Sequence, residues 1–240
     1  MNILINGAAG RMGKVLYDVI CCENIHKAVA LTDRQQGFLT LGDVEVKADC
    51  VIDFSNHLST KELASYVLKT RTPLVIATTG QTEEELEIIE NVSKKVPVFL
   101  SANMSLGIGF ISKCAVLASQ LFTDGDIEII ETHHSQKLDS PSGTALLLAK
   151  KIKEARPELE IKTGRSGYGK RSKNEICIHS VRLGNIVGTH EIIINAGSES
   201  ITLKHQAYDR AVFAHGAIKA AEFTANKQSG LYSMNDLIKE

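Results

Sequence analysis

Two histidines, a lysine and a Ser-Pro-Ser-Gly-Thr turn are concentrated in residues 128–145, which read EIIETHHSQKLDSPSGTA. His133 and His134 are adjacent, and Lys137 lies four residues after His133. Histidine exchanges protons near neutral pH, and lysine offers a positive charge or a proton. Consecutive side chains at a strand end point in opposite directions, so we expect the two histidines to have different roles. A tight loop or one helical turn would bring Lys137 back to His133.

The turn that follows is typical of a helix start. Ser140 and Pro141 suit the N-cap and first helical position, before an apolar-periodic helix over about residues 145–155. Ser142, Gly143 and Thr144 would then present donors suited to a carboxylate or phosphate. Simpler interpretations stay open: the turn only caps a helix, and the histidines are structural or bind a metal. No H-E-x-x-H pattern or nearby cysteine completes a metal site, so we expect none.

The N-terminal residues predict an element that holds a dinucleotide. A short apolar strand over residues 2–6 leads into Gly7, Gly10 and Gly13, and a helix is expected from Lys14 to Cys22. The G-x-x-G-x-x-G spacing is a variant of the dinucleotide fingerprint, whose glycines allow a tight turn and a close approach of backbone N–H groups to a pyrophosphate. A plain glycine-rich turn is the alternative.

The end of the second predicted strand, residues 27–32, strengthens that interpretation. Asp33 lies 20 residues after Gly13, about where an acid binds the adenosine ribose. An acid there favours the free 2′-hydroxyl of NAD, whereas the adjacent Arg34 suits the 2′-phosphate of NADP. The pair therefore indicates use of either cofactor, with a solvated loop charge as the alternative for Arg34.

Strands and helices alternate as far as about Met104, which predicts a parallel sheet covered on both faces. Ligands of such sheets lie beyond the carboxyl ends of the strands. Two polar segments occupy such ends and are candidate cofactor contacts, unless they are ordinary loop starts. They are Ala77, Thr78 and Thr79, and Ser101, Ala102, Asn103 and Met104.

Beyond Met104 the pattern changes to α+β. Residues 175–183, 188–195 and 199–205 are rich in β-branched residues and predict antiparallel strands joined by turns. Residues 162–174 are expected to form a glycine-rich basic loop, whose charges are solvated unless the loop binds an anion or acts as a lid. A long helix is expected over residues 210–226. The sequence alone leaves open which domain that helix joins.

The composition narrows the functional class. The formal net charge of −1 gives no general attraction to nucleic acid or to an anionic membrane. Five cysteines without a C-x-x-C pair predict reduced thiols in a cytosolic protein. We see no signal peptide or apolar run of transmembrane length. We therefore expect no nucleic-acid or membrane partner.

These motifs together resemble a known family. Residues 7–13, GAAGRMG, and residues 128–145 are similar to those of the 4-hydroxy-tetrahydrodipicolinate reductases, also called dihydrodipicolinate reductases. The similarity continues through residues 53–55, 77–80 and 101–105 and so covers nearly the whole chain. The H-H-x-x-K-x-D-x-P-S-G-T string is its specific part. Ala77 stands where the family commonly has glycine, and Met104 where an aromatic residue is common.

The resemblance implies a role for each matching residue. His133 would donate and accept the proton, and Lys137 would be a proton donor. His134, Gly143 and Thr144 would hold the carboxylates of a small dicarboxylate substrate. NADPH or NADH would be held by the residues of the turn and of the strand ends: Gly7, Ala8, Ala9, Gly10, Arg11, Met12, Asp33, Arg34, Ala77, Thr78, Thr79, Ser101, Ala102, Asn103 and Met104.

The resemblance also implies an architecture: an α/β Rossmann dinucleotide-binding domain, residues 1–104 with 211–240, and an α+β mixed-sheet domain, residues 105–210. The second would bind substrate and form a homotetramer in the cytoplasm. The implied activity is NAD(P)H-dependent reduction of 4-hydroxy-tetrahydrodipicolinate, via dihydrodipicolinate, to tetrahydrodipicolinate in lysine and diaminopimelate biosynthesis. The alternatives are another NAD(P)-dependent dehydrogenase of an amino-acid pathway and a non-enzymatic dinucleotide sensor.

Overall fold

The computed structural model describes residues 1–239 and divides into two compact units. One comprises Met1–Leu106 together with the chain from Arg210 onward, and the other comprises Gly107–Asp209. Within residues 1–239, no helix combines the length and apolar character needed to cross a membrane.

The described chain alternates strands and helices. The strands are β1 Asn2–Asn6, β2 Lys27–Thr32, β3 Cys50–Asp53, β4 Leu74–Ile76, β5 Pro97–Leu100, β6 Asp126–His133, β7 Glu160–Thr163, β8 Glu175–Arg182, β9 Gly188–Asn195, β10 Ser200–Ala207 and β11 Gly230–Tyr232. The α-helices are α1 Arg11–Glu23, α2 Thr60–Thr70, α3 Glu83–Ser93, α4 Leu106–Leu121, α5 Gly143–Ala155, α6 Ala211–Ala225 and α7 Met234–Leu237. Short 3-10 helices span Leu41–Asp43 and His57–Ser59.

The first unit contains a parallel six-stranded sheet in the order β11-β5-β4-β3-β1-β2. Alternating side chains of its strands point to opposite faces. Ile3 and Ile5 pack in a cluster with α1 and α6, whereas Leu4 packs in a second cluster with α2 and α3. All three are fully buried. Both faces are therefore covered, as the apolar strands predicted.

The order of the strands creates a switch point between β1 and β3. The chain runs from β1 outward to β2 on one side and then returns to β3 on the other side. Ligands of open parallel sheets bind at such a point, beyond the carboxyl ends of the strands. The glycine-rich turn after β1 lies at this position.

The second unit contains a five-stranded sheet in the order β10-β9-β6-β8-β7. The expectation that the three late strands form antiparallel neighbours is wrong for one pair. β9 and β10 are antiparallel, but β6 lies between β8 and β9 and is parallel to β8. The core lies on one face, where Ile127 and Ile129 of β6 pack with residues of α4 and α5.

Candidate active site

The turn after β1 is built by close backbone approaches. Gly7 has φ +83°, a region that disfavours side chains, and a Cβ at Gly13 would lie 2.2 Å from Gly7 O. The N–H groups of Gly7 and Ala8 both donate to Thr32 O, at 2.9 and 3.1 Å. The turn is thereby tied to the end of β2, and Gly10 is the N-cap of α1.

This helix begins at Arg11, three residues earlier than its predicted start at Lys14. Gly7, Ala8, Ala9, Gly10, Arg11 and Met12 therefore form the turn and the first residues of α1. Helix starts carry N–H groups without intrahelical acceptors and a partial positive charge. The arrangement fits a pyrophosphate group.

Asp33 lies against this turn. Its Oδ2 accepts the N–H of Ala9 at 3.0 Å, and its Oδ1 accepts the N–H of Gln35 at 3.0 Å. Arg34 donates to Leu58 O at 3.0 Å and has a half-exposed carboxylate, Glu62, at 3.8 Å. A cavity of about 200 Å³ adjoins both residues, lined by Asn6, Thr32, Asp33, Arg34, Thr40, Leu41, Ser59 and Glu62.

A buried polar network supports the switch point. Asp53 at the end of β3 is 2% exposed and accepts hydrogen bonds from Asn6 Nδ2 at 2.8 Å and Ser55 Oγ at 2.6 Å. Burial raises the pKa of Asp53, although these bonds oppose the shift. The network joins the ends of β1 and β3 beneath the turn. It involves residues 47 and 49 positions apart, which local patterns do not reveal.

The two other predicted cofactor segments follow β4 and β5, which are neighbours in the sheet. The Ala77 N–H donates to Asp53 O at 2.9 Å, and the hydroxyl of the buried Thr78 donates to the same oxygen at 3.5 Å. Ser101 Oγ donates to Asn103 O at 2.7 Å. Thr79 follows Thr78, and the exposed Ala102 lies between Ser101 and Asn103. The side chain of Met104 is 2% exposed and packs in the core.

The second group of candidate residues converges on the end of β6. His133 is its last residue and is 8% exposed. Two positions earlier, Glu131 is fully buried, and its Oε2 lies 2.5 Å from His133 Nδ1. Arg182 of β8 donates to both oxygens of Glu131, from Nη1 at 2.9 Å and Nη2 at 2.8 Å. Neither Glu131 nor Arg182 was among the predicted site residues.

His190 of β9 completes this cluster from the opposite side of β6. It is paired in register with Glu131, is 4% exposed, and its ring meets that of His133 edge to face at 5.1 Å. Its Nε2 lies 3.0 Å from Ser142 Oγ. Burial lowers the pKa of His190 to about 3, and a proton on the neighbouring His133 would act in the same direction.

The electrostatics favour an ionised glutamate beside a neutral histidine. Burial alone would raise the pKa of Glu131, but hydrogen bonds from Arg182, Ser180 and His133 lower it to about 2. Burial lowers the pKa of His133, and the nearby Lys137 and Arg182 act in the same direction, whereas Glu131 opposes the shift. His133 can therefore exchange a proton, while its Nδ1 is held by the Glu131 carboxylate.

Lys137 and His134 lie in the tight loop that follows β6. The N–H of Lys137 donates to His134 O at 3.1 Å, and both side chains are half-buried. Lys137 Nζ lies 2.8 Å from Asp139 Oδ1. Burial would raise the pKa of Asp139, but Lys137 and the backbone N–H of Gly143 lower it. The loop thus joins the lysine to the start of α5 through one carboxylate.

The prediction that Ser140 caps this helix is wrong. Ser142 is the N-cap, its Oγ accepts the Ala145 N–H at 3.1 Å, and Gly143 is the first helical residue. Ser140–Pro141 is a cis peptide before the helix. Ser142 is 1% exposed, whereas Gly143 is exposed and Thr144 is half-buried. The shift places Gly143 and Thr144 in the first turn of α5, where backbone N–H groups have no acceptor within the helix and suit an anion.

The basic loop between β7 and β8 is tied to acids of its own unit. Arg171 pairs with Asp126 at 2.8 Å and Glu128 at 3.0 Å, and Arg165 pairs with Glu175. Glu128, Cys177 and His179 place ligand atoms within 4.8 Å of one another, a donor set compatible with zinc. Glu128 also bonds His179 Nε2 at 2.8 Å, and Cys177 Sγ donates to Gly164 O at 3.4 Å, so each of the three groups already has a partner within the protein.

Comparison with known proteins identifies the family. The model described as "Dihydrodipicolinate reductase, N-terminus" matches residues 1–104, and that described as "Dihydrodipicolinate reductase, C-terminus" matches residues 107–238. The chain belongs to the dihydrodipicolinate reductase family. The resemblance read from the glycine turn and from residues 128–145 is thereby confirmed.

Relatives in this family extend over the full chain. A Clostridium tetani protein named 4-hydroxy-tetrahydrodipicolinate reductase is 45% identical, covering 99% of this chain and 97% of its own. A protein of the same name from Caldanaerobacter subterraneus is 42% identical, covering 100% and 99%. The dipicolinate-bound dihydrodipicolinate reductase of Paenisporosarcina sp. TG-14 has a TM-score of 0.83 and 28% identity, covering 97% of each chain. The predicted fold class, a Rossmann sheet with a mixed α+β sheet, is confirmed.

Proposed function

We infer that the protein is an NAD(P)H-dependent oxidoreductase. It reduces 4-hydroxy-tetrahydrodipicolinate, via dihydrodipicolinate, to tetrahydrodipicolinate in lysine and diaminopimelate biosynthesis. The observation that carries this conclusion is the family match over residues 1–104 and 107–238, with relatives of that name at 45% and 42% identity. Other dehydrogenases resemble the chain only in fold; an aspartate dehydrogenase of Thermotoga maritima is 13% identical. A different dehydrogenase and a dinucleotide sensor are not favoured.

The turn after β1 is proposed to hold the pyrophosphate of NADH or NADPH. The observations that support it are the crowding at Gly7 and Gly13, where any Cβ would meet backbone, and the N-terminus of α1. Asp33 and Arg34 would meet the adenosine ribose, beside the cavity that they line. The segments 77–79 and 101–104 would complete the cofactor site at the ends of β4 and β5. The bound cofactor supplies the hydride.

The substrate is a dicarboxylate, and the loop after β6 offers suitable donors. We assign carboxylate binding to His134, Gly143 and Thr144, because the first turn of α5 presents N–H groups to an anion. Asp139 already interacts with Lys137 and the Gly143 N–H, which supports the view that these groups bind carboxylates.

Proton transfer is assigned to His133 and Lys137. Reduction at C4 of the unsaturated ring leaves an enamine, which must be protonated on the adjacent carbon. An ammonium group at Lys137 is a standing proton source, and His133 exchanges a proton through the ring nitrogen that Glu131 does not occupy. The hydroxylated substrate first loses water to give dihydrodipicolinate, and this dehydrated ring is the species that is reduced.

The assembly and compartment are also proposals. We propose a homotetramer in the cytoplasm, with residues 105–210 providing its contacts and residues 1–104 with 211–240 binding the dinucleotide. The sheet face opposite α4 and α5 supports this, since Ile130 and Ile193 are only half-buried there and Val181 is 41% exposed. Light scattering after gel filtration would give four chains; a monomer would contradict it.

The activity is tested by following oxidation of NADH and NADPH with substrate made freshly from pyruvate and aspartate semialdehyde. We expect oxidation that requires the freshly made substrate, with both cofactors accepted. Oxidation that is equally fast without the substrate, or absent despite cofactor binding, would overturn the function. The ratio of the NADH and NADPH oxidation rates shows whether the site prefers the free 2′-hydroxyl, which suits Asp33, or the 2′-phosphate, which suits Arg34.

A further inference from the structure

We propose that Glu131 is a positioning residue that orients the His133 ring and fixes the start of α5 relative to it. The inference rests on the proposed function, in which His133 exchanges the proton and the first turn of α5 binds a substrate carboxylate. Glu131 itself is fully buried, so it acts through His133 and the start of α5 and does not face the solvent.

Both carboxylate oxygens of Glu131 are fully used. Oε2 accepts from His133 Nδ1 at 2.5 Å and from Arg182 Nη1 at 2.9 Å. Oε1 accepts from the Ser142 N–H at 3.1 Å and from Arg182 Nη2 at 2.8 Å. These four contacts, together with a hydrogen bond from the Ser180 side chain, surround two oxygens, and a group that can only accept is required at the centre.

This arrangement fixes the tautomer of His133. A carboxylate with these donors around it stays ionised and cannot donate, so the hydrogen of the 2.5 Å contact belongs to Nδ1. Nε2 is left as the nitrogen that exchanges the proton. Gly188 leaves room beside it, since a Cβ there would lie 3.0 Å from Nε2.

The same carboxylate connects two parts of the site. His133 ends β6, and Ser142 is the N-cap of α5, so Oε2 holds the former and Oε1 the latter. Proton transfer and near-attack geometry depend on sub-ångström placement. The Glu131 side chain therefore fixes the distance between the His133 ring and the turn of α5 that is proposed to bind a substrate carboxylate.

An amide cannot replace this carboxylate. In Glu131→Gln, one oxygen becomes an NH2 group, which would face a donor in either orientation: His133 and Arg182 on one side, or Ser142 and Arg182 on the other. The variant either releases the ring or releases the helix start. Because the negative charge also stabilises the imidazolium, its removal lowers the pKa of His133 further below the ordinary value.

The matched control is Glu222→Gln. Glu222 lies on α6 in the other unit and pairs with a buried histidine, His26, at 3.1 Å. The substitution makes the same chemical change in another glutamate–histidine pair. It touches none of the residues proposed to bind substrate or cofactor.

The first readout needs no turnover: ¹⁵N NMR of the histidine rings gives the tautomer of His133 in the wild-type protein. We expect a hydrogen on Nδ1 near neutral pH, and a neutral ring with its hydrogen on Nε2 would overturn the proposal even if the reductase activity is established. This measurement also stands if the wild-type protein fails to reduce the substrate, so the two failures are distinguishable.

The second readout is the pH dependence of turnover. Glu131→Gln should lower kcat by about 10- to 100-fold, because His133 is still present to exchange the proton but its ring is no longer held in position. The limb of the pH profile due to His133 should move to lower pH, and binding of NADH should be unchanged. Glu131→Asp, which keeps the charge, should retain the position of that limb while losing turnover. Glu131→Gln with wild-type kcat and pH profile, or equal losses in Glu222→Gln, would overturn the role.

Discussion

Asp139 Oδ1 lies 2.8 Å from Lys137 Nζ, so the lysine proposed as proton donor is already paired with an acid two residues away. The same acid interacts with the Gly143 N–H. Lys137 is assigned to proton transfer, and Gly143 is assigned to binding of a substrate carboxylate. The side chain of Asp139 is 58% exposed and therefore free to give way to a ligand.

Replacing Asp139 by asparagine should favour substrate binding. The variant keeps the size of the side chain but removes the negative charge that competes for Lys137 and the helix start. We expect a lower KM for the dicarboxylate and an unchanged Kd for NADH. Glu154→Gln, which removes a similar exposed partner of Lys151, is the control. A higher KM would mean that Asp139 orients Lys137 for the substrate and does not compete with it.

Loss of Lys137 should act on turnover. In Lys137→Ala the proton source for the enamine is removed, and general acid–base groups typically contribute about 10²- to 10⁴-fold. Steady-state kinetics should show a fall in kcat of that order, with NADH binding intact by fluorescence titration. Lys151→Ala, on the surface of α5, should change neither quantity. Wild-type turnover in Lys137→Ala would remove the lysine from the mechanism.

The stability of the protein should fall in acid because of His190. Its pKa is lowered to about 3 by burial, whereas the unfolded chain binds a proton near the ordinary value of about 6.5. Between these two pH values the unfolded state binds more protons than the folded state. The contribution of His190 to the free energy of unfolding is therefore fully present above about pH 6.5. It declines as the pH falls, by about 1.4 kcal/mol per pH unit for one group.

Urea unfolding at several pH values measures this slope. Wild-type protein should lose unfolding free energy between neutral pH and acid, and His190→Gln should have a shallower slope because this proton uptake is removed. Equal slopes in the two proteins would show that His190 is not buried in its neutral form.

A methyl group in the dinucleotide turn should prevent it from closing. A Cβ at Gly13 would stand 2.2 Å from Gly7 O and 2.7 Å from Ala8 Cα, and both are backbone atoms. Gly13→Ala should therefore lower the melting temperature and weaken NADH binding. Gly169→Ala, where a Cβ meets nothing within 4 Å, should leave both unchanged. Normal NADH affinity in Gly13→Ala would separate the turn from the cofactor site.

The sequence predicted the elements best where the signal is local. The apolar strands and the glycine turn depend on neighbouring residues, and both are present in the structure. The start of α5 was misplaced because Ser140 and Ser142 are both good caps, and the choice of Ser142 depends on Glu131 and His190, which contact it from other strands.

The supporting residues of the candidate site were beyond local patterns. Arg182 reaches Glu131 across 51 residues, and His190 reaches Ser142 across 48. Both contacts depend on β6 lying between β8 and β9. The turns between the late strands had instead favoured β8 and β9 as antiparallel neighbours in a hairpin. The alternation of β6 did carry one usable signal, since Glu131 shares a face with His133 and with the buried Ile127 and Ile129. A charged residue on the buried face of a strand indicates a paired, functional position.

The most direct test of the account is the fate of isotope labels in the product. With cofactor deuterated at the transferring position, we expect one deuterium at C4 of tetrahydrodipicolinate; with unlabelled cofactor in D2O, we expect deuterium at the adjacent carbon. The cofactor's label at C4 would show hydride delivery, and deuterium at the adjacent carbon, measured before that carbon exchanges with D2O by itself, is the result expected if His133 and Lys137 protonate the enamine. A product without the cofactor's label would contradict the assignment of this chain as the reductase.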